Sequence, residues 1–325
     1  MGAWGRFKGV LSNRVRATVV ALCVAGLSGC GANTDVLDGV PAFPVDVPEV
    51  RVLDEGENPQ VLAYRAGDAT WETSVGISGG VAQDVVPSDD AGFDPQAPAG
   101  GDIMETTLDL SVQSVPARDA GDGEGPASRE VELTTRGGGH SDLALGQEVD
   151  ANQGFLMRWR AADTGAVSSV KMLPPVDSPE RGRQVVERGL LSVMSTTVVF
   201  PEEPVGVGAA WTVTGRVTGD AAMVRTTTYT VRSISGDEVQ LDVAIEEQPT
   251  QQEVRIDNEV AGSLDGATLT VASTSTTSQG ELTVDLTKPL PVAGQIAATT
   301  RLVYAGEGAK FRIVQDVTNA VTYGK

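Results

Sequence analysis

A histidine, a serine and an aspartate stand together in Gly137-Gly138-Gly139-His140-Ser141-Asp142, the residue types of a base, a nucleophile and an orienting acid. Members of a triad meet in space rather than in sequence. A run this rich in glycine positions neither a base nor an oxyanion hole, so the segment reads as a surface loop. His140 is the sole histidine of the chain, which excludes a histidine metal cluster. Asp163-Thr164-Gly165 would be catalytic only if a second copy faced it across a cleft. No second copy exists, and its place between RWRAA and AVSS reads as a hairpin turn. Asp89, Asp90 and Asp94 invite calcium but lack the spacing of a calcium loop. Glu202 and Glu203 are the acids nearest Trp211 for glycosidase chemistry, yet 44 acidic residues make some such pair inevitable. The expectation is no catalytic set, no metal and no cofactor, with a carboxylate-dependent hydrolase as the remote alternative.

Cys30 is different, because its neighbours define its chemistry. Arg6, Lys8, Arg14 and Arg16 form a basic start without an acid, and Ala17 to Leu27 is apolar but too short to span a bilayer. Leu27-Ser28-Gly29-Cys30 then resembles the lipobox of bacterial lipoproteins. That resemblance implies a diacylglyceryl group on the Cys30 thiol and cleavage between Gly29 and Cys30. Two acyl chains, at ~0.8 kcal/mol per buried methylene, hold a protein on a membrane durably. The expected location is the extracytoplasmic face of the cell membrane, reached through the lipid anchor, with residues 1–29 as signal peptide.

Cys23 falls in that signal, so the body has neither disulfide nor free thiol and must be held by its own core. Formal charge over the whole chain is −20, and loss of the basic signal makes the mature form more negative still. Nucleic acid is therefore excluded as a partner. Residues 30–57 are acidic and proline-rich and read as a tether; residues 58–325 read as a single β-rich domain. Flexible loops are expected near 79–101 and 116–128, since both are rich in Gly, Pro and Asp.

Strands are expected at Gln60–Arg65, Thr70–Ile77, Met104–Val115 and Arg129–Arg136, with a hairpin around Asp163. From Trp211 onward period-2 patterning dominates, clearest in Val239, Leu241, Val243 and Ile245, with turns near Gly280, Gly294 and Gly306-Glu307-Gly308. One helix is expected near 179–194, with Ser178 as N-cap and Val186, Leu190, Val193 and Met194 on one face. The fold class is thus mainly β: a large curved antiparallel sheet, half-barrel or sandwich, with one packed helix.

The stretch FPEEPVGVGAAWTVTGRV, followed by TTTYTVRSISGDEVQLDV and GELTVDLTKPLPVAG, resembles an uncharacterised family of actinobacterial envelope lipoproteins. The resemblance implies a lipobox, a tether and a β-rich domain, and brings no activity. The functional expectation is non-enzymatic binding of a lipid or other hydrophobic ligand, with Val186, Leu190, Val193, Met194 and Trp211 lining the site. The alternative is a β-sandwich scaffold that binds another envelope protein.

Overall fold

The computed structural model describes residues 35–101, 103–217, 223–255, 268–306 and 308–324. The expected signal, Gly29, Cys30 and Glu307 lie outside them. Two compact units divide between Asp38 and Gly39; within the first, a turn is closed by the Asp38 amide on the Asp35 carbonyl.

In the second unit, the strands in chain order are β1 (Phe43–Pro44), β2 (Glu49–Asp54), β3 (Glu57–Gln60), β4 (Gly67–Pro87), β5 (Met104–Pro116) and β6 (Arg129–His140). Helix α1 (Leu143–Asp150) follows, then β7 (Leu156–Ala161), β8 (Val167–Leu173) and helix α2 (Glu180–Ser195). The rest is β9 (Val205–Val207), β10 (Ala210–Val217), β11 (Met223–Ser235), β12 (Glu238–Pro249), β13 (Glu253–Arg255), β14 (Thr268–Asp285), β15 (Ala293–Ala305) and β16 (Phe311–Tyr323). Among the described residues one antiparallel sheet of fourteen strands runs β1-β8-β7-β6-β5-β4-β16-β15-β14-β12-β11-β10-β2, with β13 beside β14. Its two ends do not meet, as a half-barrel requires.

Alternation sets the two faces. Leu108, Leu110 and Val112 of β5, Val75 of β4, Leu133 of β6 and Met157 and Trp159 of β7 point into one continuous core. Helix α2 lies on this face and buries Val186, Leu190, Val193 and Met194, each worth about 1.5–3 kcal/mol. Gly189 permits the approach: a Cβ there would stand 3.1 Å from a Leu108 methyl. At the far side β12 follows β14 only over Glu238–Asp242. It then leaves and crosses over β14 and β15, where the Ile245 and Glu247 amides donate to Ser278 Oγ and Thr276 Oγ1. The sheet thereby folds into a second layer.

Several expectations change. The tether reading fails for β1 and β2, which join the sheet on β8 and β10. Gly79–Pro87 is strand rather than loop, because β16 pairs with it along its whole length. Residues 88–101 then pack instead of floating: Ala97 donates to Ser275 Oγ, Gly100 to Thr299 Oγ1, and Arg301 reaches the Asp94 carbonyl. Past Pro116, which ends β5, residues 117–128 have no strand or helix, yet Glu124 pins them to Lys171 at 2.7 Å. Gly280 makes no turn; β14 runs through it, and its missing side chain leaves room for Val243, 3.0 Å from where a Cβ would sit. Helix α2 starts from Pro179, while Ser178 Oγ bonds the Pro175 carbonyl.

Helix α1 has no counterpart in the sequence expectation. It packs on α2 at Gly182, where an added Cβ would come 2.2 Å from the Glu148 carbonyl oxygen. Gly182→Ala should therefore cost roughly 1–3 kcal/mol by pushing the helices apart. Gly139→Ala, whose Cβ meets nothing within 4 Å, should be near neutral. Equal urea midpoints for the two variants would refute this account of the helix pair.

Candidate functional site

Burial changes faces along β16. Near its C-terminal end the odd positions Val321 and Tyr323 are buried, in the core under α2. Toward its start the even positions Val314, Asp316 and Thr318 are the buried ones, beneath the 88–101 segment that crosses the outer face. A strand shows such a reversal when its cover moves from one face to the other.

The core face is consequently open over the distal half of β4 and only half-covered over that of β16. The register pairs Val81 with Val317, Gln83 with Gln315 and Val85 with Ile313, so these six side chains share one face. Val81 and Val85 are 54% and 63% exposed, and Met104 beside Gly79 is 59% exposed. From Val75 to Val85 and from Phe311 to Tyr323 this face carries no charge at all, while the opposite face carries Asp84, Arg312 and Asp316. Two of those outer charges are tied up: Arg301 holds Asp316 in a fork of two 2.7 Å bonds, and Arg312 stands 5.0 Å over the Phe93 ring. The signal for this strip was present in the sequence as Val-x-Gln-x-Val at 81–85, masked by the glycines before it and the Pro-Ser-Asp-Asp after it.

The residues expected to bind ligand lie elsewhere. Val186, Leu190, Val193 and Met194 are buried in the packed core. Trp211 is also buried; its Nε1 donates to the Val199 carbonyl at 2.9 Å and its ring sits between Phe200 and Tyr229. Two open grooves, of about 550 and 200 Å³, lie on the outer face around Gly280 and Gly294. Gln279, Glu281, Gln295 and Thr322 line the larger one, Arg232 and Gln240 help line the smaller, and none of the five expected residues takes part.

The candidates for chemistry stay apart. His140 ends β6, not a loop, and its Nδ1 accepts from the Asp142 amide. Asp142 caps α1, accepting from the Ala144 and Leu145 amides, and those bonds hold its carboxyl below the usual range. Gly138 is needed for close packing, since a Cβ would meet the Thr107 carbonyl at 2.6 Å. Asp163-Thr164-Gly165 forms the β7–β8 turn, with Gly165 at φ +99°. Asp90 and Asp94 close local turns onto the Gly92 and Gln96 amides, and Glu202 and Glu203 are exposed. No group of three or more His, Cys, Asp or Glu among the described residues could hold a metal ion.

Three buried phenols have their pKa pushed well up by burial: Tyr64, Tyr229 and Tyr323. Tyr323 also bonds Thr196 Oγ1 at 2.7 Å, fastening the end of α2 to β16. A phenol whose folded pKa exceeds its unfolded value near 10 favours the fold below that pH, and this contribution disappears as pH rises through the folded value. Urea midpoints should be level from pH 7 to 9 and fall steeply above about pH 10. Tyrosinate absorbance that develops fully near pH 10 while the fold persists would refute it.

No curated protein matches the chain. Residues 191–290 match a family of unknown function, DUF6263; the match spans the end of α2, the β9–β12 layer, β13 and all of β14, and leaves β4 and β16 outside.

Proposed function

We propose that this chain is a lipoprotein, tethered through Cys30 to the extracytoplasmic face of the cell membrane, whose body binds the apolar part of a lipid or similar hydrophobic ligand. The basic, apolar and Leu-Ser-Gly-Cys run of the N-terminus supports the anchor. The acidic body supports a surface held off anionic headgroups, and no helix among the described residues is long and apolar enough to cross a membrane.

One observation carries the binding reading: the uncharged strip of β4 and β16, continuous with the core yet open to water. The five strand residues Val81 to Val85 span about 13 Å, and two strands are about 10 Å wide. That is on the order of 130 Å², far below the roughly 800 Å² per partner of a stable protein interface. A single acyl chain or a small flat apolar molecule fits those dimensions better than a folded partner does. Gln83 and Gln315, paired in the middle, offer neutral hydrogen bonds that a headgroup or ester can use without meeting a fixed charge.

Binding of the neutral fluorophore N-phenyl-1-naphthylamine to the full chain tests the strip. Val81→Asp should weaken it at least tenfold while changing thermal stability little, since Val81 is mostly exposed. Wild-type affinity in Val81→Asp and in Val85→Asp alike would sink the reading. The anchor is tested separately: Cys30→Ala should abolish palmitate labelling and move the protein from the membrane to the soluble fraction. A variant that stays acylated or membrane-bound overturns it.

A further inference from the structure

Most largely buried arginines of this fold hold a carboxylate. Arg158 pairs with Glu132, Arg160 with Glu130 at 2.7 Å, Arg225 with Glu247 at 2.7 Å and Arg301 with Asp316 at 2.7 Å. Arg129 departs from this. It is fully buried at 0% exposure, its Nε donates to the Ala162 carbonyl at 3.2 Å, and its Nη1 and Nη2 have no partner. Asp163 acts on it electrostatically but makes no ion pair with it, and its Oδ1 accepts from Ser128. An arginine does not shed its proton in a protein, so a full positive charge sits in the core with two empty donor groups. Native folds rarely leave such groups unanswered.

The neighbours of Arg129 are in the same condition. Trp159 Nε1 and Ser114 Oγ are buried without partners, and the Tyr64 hydroxyl, near the backbone of Val198, makes no well-formed hydrogen bond. Of these, Tyr64 touches the guanidinium, and Ser114 and Trp159 share one face of the sheet with Arg129. Tyr64 lies 4.3 Å under the guanidinium. The ladders pair Ser114 with Val131 and Val131 with Trp159, while Arg129 pairs with Pro116 and Ala161. Ser114 and Trp159 are thus the two diagonal neighbours of Arg129 on one face, within reach of long side chains. Guanidinium, indole and hydroxyls can all donate, and apart from the Ala162 carbonyl on Arg129 Nε no acceptor among the described residues answers them.

We infer that Arg129, Trp159, Ser114 and Tyr64 form a buried receptor for an oxyanion, a carboxylate or phosphate whose oxygens take the two free guanidinium nitrogens side by side. The planar fork of arginine suits two oxygens of one such group. Its source is either a free anion enclosed during folding or the head group of an amphiphile. The site is at the opposite end of β4 and β5 from the apolar strip and does not depend on it.

Reversible thermal unfolding of the full chain tests the receptor, because refolding passes through the open state and occlusion is no obstacle. Against sodium chloride at equal ionic strength, acetate or inorganic phosphate should raise the midpoint by roughly 2–3 °C for each tenfold increase once the site saturates. Whichever ion acts at lower concentration identifies the oxyanion. Octanoate acting at tenfold lower concentration than acetate, in a Val81→Asp background, assigns the site to an amphiphile head; equal action assigns it to the free ion. Arg129→Met should remove the response. Should that variant not fold, Arg129→Lys, which keeps the charge and loses the fork, should need at least tenfold more anion. Coincident midpoints in chloride, acetate and phosphate would overturn the proposal, leaving water as the only occupant. So would a full response in Arg129→Lys.

Discussion

The thirteen-pair ladder between β16 and β4 decides the face of every side chain around it. Its register is unbroken from Phe311–Pro87 to Tyr323–Val75, so one face is continuous from the helix-covered core to the far tip. A slip of β16 by one residue would send Val321 and Tyr323 to the outer side and bring Asp316 and Arg312 inward. Tyr323 resists that slip twice over, through its bulk in the core and its bond to Thr196 on the helix. With this register set, covering one half of the inner face with α2 leaves the other half bare unless another element reaches it. The 88–101 segment crosses the outer face instead.

The second layer answers the same demand on the other side. Where β12 departs from β14, backbone groups that would have paired along the ladder need new partners, and Ser278 and Thr276 supply them. Glu247 enters the interior at this crossing and is fully answered: Arg225 binds it on one side, Thr300 Oγ1 donates to it at 2.7 Å on the other. A buried pair of this kind contributes little net stability, but removing one partner is strongly destabilising. Its threonine ladder explains how a chain with 4% aromatic residues closes a core: hydroxyl pairs such as Thr276–Thr300 and Thr299–Thr318 do the joining that large rings do elsewhere.

Much of this was legible in the sequence. The helix at 179–194, the strands of the C-terminal half and the Asp163-Thr164-Gly165 turn follow from local pattern, because their partners are adjacent and their signals are strong. What local pattern could not give was pairing at long range. Gly79–Pro87 looks like a loop until β16, more than two hundred residues later, supplies its ladder; Glu49–Asp54 looks like a tether until β10 does. Helix α1 is short and weakly amphipathic, and its best signal, Asp142 as a cap, competed with the notion of a catalytic cluster. The binding residues were sought under the helix because an apolar stripe needs a surface. That surface proved to be the core itself, and the open apolar surface lay on strands whose glycines and polar flanks hid them.

An open sheet this long has two edges to protect, and the chain protects both. β1 is two residues long and ends in Pro44, which cannot donate to a further strand. β2 alternates Glu49, Arg51 and Asp54 with its apolar residues, so an incoming strand meets charge of both signs. The outer face of β4, β15 and β16 beside the strip does carry charge, in Asp84, Arg301, Arg312 and Asp316. Against that background the absence of charge along Val81, Gln83, Val85, Ile313, Gln315 and Val317 is not a shortage of acids or bases. A solvated face of a protein this acidic gains solubility from any Asp or Glu placed on it, and this one has none. An uncharged strip of this kind is the surface that the proposed ligand would cover.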